Sequence, residues 1–133
     1  MASFRATLEF AGKEYDVLHS EYEFSRTTDA KGKPSSNIQG GRVSVVIEST
    51  DDTATIEAML NSQFKQVEGK IVYKKIEEDA KMKELVFENG YVVEYEEALN
   101  VANPYPMTIK FAISAQTVKM DEATFVQDWP ENN

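Results

Sequence analysis

The sequence predicts a mainly β protein: an antiparallel β-barrel or sandwich of about seven strands, one flanking α-helix at about 51–62 and a long loop at 27–41. Three observations carry this. Apolar residues recur with period two through most of the chain, the spacing of strands with one buried face. A single stretch switches to helical spacing. One long segment, Thr27–Gly41, has no apolar period at all. Many short strands with turn signals between them close into a sandwich or small barrel.

Phe4, Ala6, Leu8 and Phe10 share one face of the first strand, with Arg5, Thr7 and Glu9 opposite. Ala11-Gly12-Lys13 is a short turn, because Gly12 tolerates positive φ. The chain returns through Tyr15 and Val17, and the apolar parity then switches to Tyr22 and Phe24. A one-residue slip in parity is what a bulge produces, so one is expected near Leu18–His19. Thr27–Gly41 is rich in turn formers, and Ile38 is its one large apolar residue. A loop of this length inside a compact domain is uncommon and usually functional or disordered. Too little of it is apolar for it to fold on itself.

Val43, Val45 and Ile47 form one face of the third strand. Ser49-Thr50-Asp51-Asp52 reads as a helix start, since such side chains cap orphan amides and aspartates suit the positive end of the dipole. Ile56, Met59 and Leu60 give that helix its stripe, expected to pack on the barrel. Strands resume at Glu68–Ile76. Glu77–Met82 is charged, a loop or one helical turn. Lys83–Glu88 and Tyr91–Leu99 flank Asn89-Gly90, a strong hairpin signal. Ala102–Pro106 is a rigid break, and Met107, Ile109, Phe111, Ile113 and Ala115 then give the cleanest alternation, which predicts burial of Phe111 and Ile113. From Asp121 onward come four acids and no base. The expected organisation is one barrel domain over 1–120 and a loosely held acidic tail over 121–133.

Composition narrows function. The chain has 133 residues, no cysteine and one histidine, which excludes disulfides, thiolate metal sites and a cysteine nucleophile. Its 14 basic residues against 23 acidic ones give a net charge of −9. That balance argues against nucleic acid and anionic membranes, which need clustered cations. No run approaches the ~20 apolar residues of a membrane-spanning helix, and the alternating start lacks the apolar core of an export signal. Synthesis in the cytoplasm is the expectation, with no use of the general secretory route.

Catalytic constellations are not apparent. A Ser-His-Asp triad would have to use His19, and no Gly-x-Ser-x-Gly elbow is present. No phosphate loop occurs, and Gly40-Gly41 is a turn signal opening the third strand. Asp51-Asp52, Glu77-Glu78-Asp79, Glu96-Glu97 and Asp121-Glu122 read as caps and solvated surface, not as a glycosidase pair across a cleft. No cofactor, metal or catalytic residue is assigned. Tyr15, Tyr22, Tyr73, Tyr91, Tyr95 and Tyr105 allow a sugar- or peptide-binding platform, though strand tyrosines are more simply half-buried packing. Lys70, Lys74, Lys75, Lys81 and Lys83 form a basic cluster suited to an acidic partner, such as another copy of this acidic chain. A binding or structural protein follows, and the residues alone leave the two open.

Several blocks in order resemble one known family. They are Ala2–Leu18, Lys33-Pro34-Ser35-Ser36 with Gly40-Gly41, Val45–Asp52, Glu78–Leu85 and Pro106–Ala115. Together they resemble the haemolysin-coregulated protein (Hcp, TssD) family, the tube protein of bacterial type VI secretion, up to about Lys119. The resemblance implies a β-barrel with a flanking helix, and hexameric rings that stack into a hollow tube. It implies a contractile sheath that propels the tube, a spike, and effectors carried to the outside or a target cell. It assigns ring stacking to the extended loop: Thr27, Asp29, Lys31, Lys33, Pro34, Ser35, Ser36, Asn37, Ile38, Gln39, Gly40 and Gly41. The competing expectation is an extracellular or periplasmic ligand-binding β-sandwich that uses its tyrosines and forms no ring.

Overall fold

The computed structural model describes residues 4–61, 64–77 and 80–129. Seven strands and one helix follow in the order β1 Phe4–Phe10, β2 Lys13–Tyr22, β3 Arg42–Glu48, α1 Ala54–Leu60, β4 Val67–Lys75, β5 Ala80–Leu99, β6 Met107–Met120 and β7 Ala123–Val126. All pairings are antiparallel, in the order β3-β2-β1-β4-β5-β6-β7. A further ladder between β3 and β6, from Arg42↔Ser114 to Glu48↔Thr108, closes the first six strands into a barrel. Closure removes the unpaired edges that an open sheet would leave. The sandwich alternative is thereby set aside.

The predicted alternation places the core correctly. Leu8, Phe10, Val43, Val45, Ile47, Ile71, Leu85, Phe87, Phe111 and Ile113 all point into the barrel and are buried. Phe10 sits between Phe87 and Phe111, with ring centroids 6.3 and 5.7 Å away. Phe4, at the open start of β1, is exposed. The predicted bulge is present: Val17 pairs with Ile47 but His19 pairs with Val46, so Leu18 is the extra residue. It moves the inward parity of β2 on to Ser20 and Tyr22.

The Asn89-Gly90 hairpin is not formed. β5 runs through it unbroken for 20 residues. Asn89 has φ +54° and lies in a bulge, where β4 advances from Val67 to Gly69 while β5 retreats from Gly90 to Phe87. At Gly90 a Cβ would stand 2.7 Å from Ile113 Cγ2. The pair therefore supplies positive φ and a missing side chain, as a turn would require, but for a bend between two close neighbours. Continuation wins because β6 offers ladder partners on the other edge from Leu85 to Leu99. The reversal between β4 and β5 lies instead between the paired Lys75 and Ala80, where Ile76 and Glu77 are the described residues. Of the charged stretch 77–82, Glu78 and Asp79 fall outside the described residues, and Ala80–Met82 are strand, not helix.

Helix α1 is shorter than the predicted 51–62. Its start is held by Asp52, whose carboxylate accepts the Ala54 N–H at 2.8 Å and the Tyr15 hydroxyl at 2.7 Å and lies 3.1 Å from the Lys13 ammonium. The packed face is Thr55, Ala58 and Met59, with Thr55 and Tyr95 hydroxyls 3.2 Å apart. Leu60, expected in the stripe, is exposed: at about 100° per residue it lies well round the helix from the packed Thr55, Ala58 and Met59. Residues 121–129 are also not a loose tail. β7 takes the β6 edge that β3 leaves free, the Gln127 amide donates to the Ala115 carbonyl, and Trp129 lies 5.9 Å from Tyr91.

Two predictions follow from this packing. Phe111 is 1% exposed, and Phe111→Ala should cost about 3–5 kcal/mol. A clearly lowered thermal midpoint is expected, and an unchanged one would contradict the register of β6. The second concerns acid. The Ala54 amide, the Tyr15 hydroxyl and Lys13 hold the Asp52 carboxyl below its ordinary range, while burial and the Asp52 contact push the Tyr15 phenol well above its own. A carboxyl lowered in the folded state stabilises above its unfolded value and loses that contribution as pH falls through the folded value. Stability should decline below about pH 4, and Asp52→Asn should flatten that decline in midpoints measured from pH 7 to pH 2. Equal slopes would show that Asp52 is not the group responsible.

Candidate functional site

The segment between β2 and β3 forms a narrow arm. Ser25 and Gln39 exchange both backbone hydrogen bonds, at 2.9 and 2.6 Å. Thr28 bridges Pro34, and the Ser35 N–H donates to the Thr27 carbonyl at 2.8 Å. At the tip, Asp29 accepts the N–H groups of Lys31 and Lys33 through its side chain, at 2.9 and 3.0 Å, and the Gly32 N–H through its carbonyl at 3.0 Å. The Thr27 N–H reaches the Ser36 hydroxyl. The expectation that too little is apolar for the loop to fold on itself is corrected: local polar bonds, not apolar burial, shape it.

All the loop residues assigned from the sequence lie on this arm. Thr27, Asp29, Lys31, Lys33, Pro34, Ser35, Asn37, Ile38 and Gln39 are exposed, Ser36 and Gly40 are half-buried, and Gly41 is buried. Gly41 sits at a fork, with φ +92° and a would-be Cβ 2.6 Å from the Ala115 carbonyl oxygen. Its own carbonyl accepts the Ala115 N–H at 2.7 Å, where β3 and β7 part along β6. The arm's root was missed from sequence. It starts at Glu23, and Phe24, read as strand, packs 5.1 Å from Phe125 of β7 and 6.2 Å from Tyr22. Nothing in the local sequence links Phe24 to a residue a hundred positions later.

Strand directions fix two ends of the barrel. The arm leaves the end where β2 stops and β3 starts. The β1–β2 turn, the end of β3, helix α1 and the start of β4 all lie at the other end. There the β1–β2 turn, α1 and the start of β4 enclose an open groove of about 870 Å³. Phe10, Ala58 and Val67 are among its lining, and Glu9, Glu14, Glu57 and Glu68 stand around it with Lys13 and Lys65. The β5–β6 tip at this end exposes Leu99, Val101, Tyr105 and Met107.

The other sequence candidates are dispersed. His19 is exposed on β2, 3.9 Å from Glu21. The tyrosines form no single platform: Tyr15 holds Asp52, Tyr73 meets Ser20, Tyr95 meets Thr55, Tyr91 meets Trp129, and Tyr105 stands at the hairpin tip. In the basic cluster, Lys70 pairs with Glu9 and Glu84, and Lys81 with Glu84. Among the described residues no group of three acids or histidines is placed to hold a metal ion. No described helix is long and apolar enough to cross a membrane.

A family model described as "Hemolysin coregulated protein Hcp (TssD)" matches residues 2–130, extending the sequence resemblance past Lys119. No curated protein sequence matches the chain. Hcp1 from Flavobacterium johnsoniae is 36% identical, with a TM-score of 0.88, over 92% of this chain and 99% of that one. Hcp1 from Salmonella typhimurium shares the fold at 13% identity, with a TM-score of 0.72, over 93% of this chain and 92% of that one. A chain of the anti-feeding prophage baseplate shares it at 10% identity, with a TM-score of 0.53, over 90% of this chain and 93% of that one. The barrel, its arm and these matches agree: the chain belongs to the Hcp (TssD) family and is a structural tube subunit of type VI secretion.

Proposed function

We propose that six copies of this chain close into a ring, and that rings stack through the arm at 27–41 into a hollow tube. The tube is made in the bacterial cytoplasm and leaves by the type VI system, driven by a contractile sheath, tipped by a spike and able to carry effectors. Family membership supports the ring, the tube and the export route. The observation that carries the arm's role is its independence from the core. Nearly all of it is exposed, and its bonds are mostly internal, so the barrel needs no 19-residue excursion between β2 and β3. A heterologous contact that closes by rotation gives a ring, and a second one along the axis gives a tube.

This separates stacking from ring closure. Replacing Lys33-Pro34-Ser35-Ser36 with a flexible Gly/Ser stretch removes Pro34's fixed φ and the Thr27–Ser35 and Thr27–Ser36 contacts. The variant should fold, form single rings of six by mass at micromolar concentration, and fail to build tubes or support export. Loss of rings together with export would place the arm inside the ring. Survival of both would remove the arm from assembly, and a monomer for the native chain would overturn the ring itself.

A further inference from the structure

The arm joins the barrel at two hinges, Phe24 where it leaves β2 and Gly40-Gly41 where it returns to β3. One short segment touches both. Residues 123–129 alternate toward their end: Phe125, Gln127 and Trp129 are half-buried, while Thr124, Val126 and Asp128 are exposed. Side chains two apart share one face of an extended chain. That face meets Phe24 through Phe125, with ring centroids 5.1 Å apart, and Tyr91 through Trp129 at 5.9 Å. Between them Gln127 enters the fork at Gly41. Gly41 makes one of the two bonds of an antiparallel pair, its carbonyl accepting the Ala115 N–H at 2.7 Å. The Gln127 side chain takes the other place, its Nε2 donating to the Ala115 carbonyl at 2.8 Å. It fits because Gly41 has no Cβ, which would stand 2.2 Å from that nitrogen. Departure of the arm would otherwise leave a β6 carbonyl in the core without its donor, which is costly. Gln127 is itself held, its N–H donating to the Gln116 carbonyl at 2.8 Å and its carbonyl accepting from Gln116 Nε2 at 3.3 Å.

The barrel closes without this segment. β3 and β6 seal it from Arg42↔Ser114 to Glu48↔Thr108, and no residue of 121–129 belongs to the buried core. The arm's internal bonds fix its shape but not its direction. A two-stranded arm on two hinges, one of them a pair of glycines, is free to swing as a body. We infer that residues 123–129 are a strap that sets the direction of the arm, with Phe125 and Gln127 as positioning residues, one for each hinge. Phe125 holds the outgoing strand by ring contact, and Gln127 holds the returning strand where it parts from β6. The period of two places both side chains on the same face, so a single short strand controls both hinges. The inference concerns the single chain. Only its consequence for tube building rests on the stacking reading above: an arm without a fixed direction must be ordered on docking and binds more weakly.

The chain contains no cysteine, so spin labels at Asp16→Cys on β2 and Lys33→Cys on the arm, both exposed, report a single distance. Labelled chain is diluted into a large excess of unlabelled chain, so that no assembly carries two labelled copies. Double electron–electron resonance should then give a narrow distance distribution. Phe125→Ala, and Gln127→Glu, which keeps the shape and loses the donor, should each broaden it roughly twofold or more, while the amides of Val43–Ile47 still exchange only through global unfolding. Phe125→Tyr keeps the ring and should keep the narrow distribution. Gly40→Ala reaches the same hinge from the arm's side, since its Cβ would fall 2.4 Å from Phe24 Cδ1, and should broaden the distribution with the strap unaltered. An unchanged distribution in Gly40→Ala, or in both strap variants, would reduce 123–129 to edge cover for β6 and overturn the inference. Broadening together with early exchange along β3 would overturn it too, because the strap would then hold the barrel and not the arm. Broad distributions in chains that still build tubes would leave the strap's role standing and overturn the arm's part in stacking.

Discussion

The β3–β6 ladder is the constraint on which the rest depends. Without it β3 would be a bare edge, and the sheet would open beside the arm. With it, β6 is flanked on both edges through Phe111, Ala112 and Ile113, and all three are buried. The closure also fixes geometry beyond the core. β3 leaves β6 at Gly41, β7 takes over the vacated edge, and Phe125 of β7 meets Phe24 at the root of the arm. The arm is therefore aimed by the barrel although its own shape comes from local polar bonds.

Closure sorts the surface into two ends of different character. Helix α1, whose first amide bonds Asp52, itself held by Tyr15 and Lys13, is seated at the end remote from the arm and walls the groove there. A net charge of −9 would oppose self-association if spread evenly. It is not even: four glutamates stand around the groove, and Lys31 and Lys33 are exposed on the arm. The two ends of the barrel are therefore chemically unlike. Among the described residues the tyrosine hydroxyls are used locally: Tyr15 and Tyr95 tie the α1 region to the barrel, and Tyr73 meets Ser20.

Much of this was legible in the sequence. Period-two alternation identified the inward faces of β1, β3 and β6, and the parity slip placed the bulge near Leu18–His19, because side-chain direction in a strand is set by counting. The polar run at 27–41 marked the arm for the converse reason. What counting does not carry is the identity of the neighbour. Asn89-Gly90 announces tolerance for positive φ and a missing Cβ, and whether that serves a turn or a bulge depends on β4 and β6 standing on either side. Leu60 looked like core because the stripe was read as Ile56, Met59 and Leu60, whereas the packed face is Thr55, Ala58 and Met59. The pairing of 123–126 with β6, and the Phe24–Phe125 contact, join distant parts of the chain with no local signature. The groove has the same origin: its walls come from three segments that only closure assembles.

Native-state hydrogen exchange resolved by residue tests the closure most directly. If β3 and β6 seal the barrel, the ladder amides of Val43–Ile47 and Ile109–Ile113 should exchange only through global unfolding, with the free energy given by denaturant titration. Ser25, Ser35 and Gln39 on the arm should exchange far sooner, by local opening. Early exchange along β3 and the facing edge of β6, at a free energy well below the global value, would mean an open sheet. The two ends of the subunit would then not be held as described.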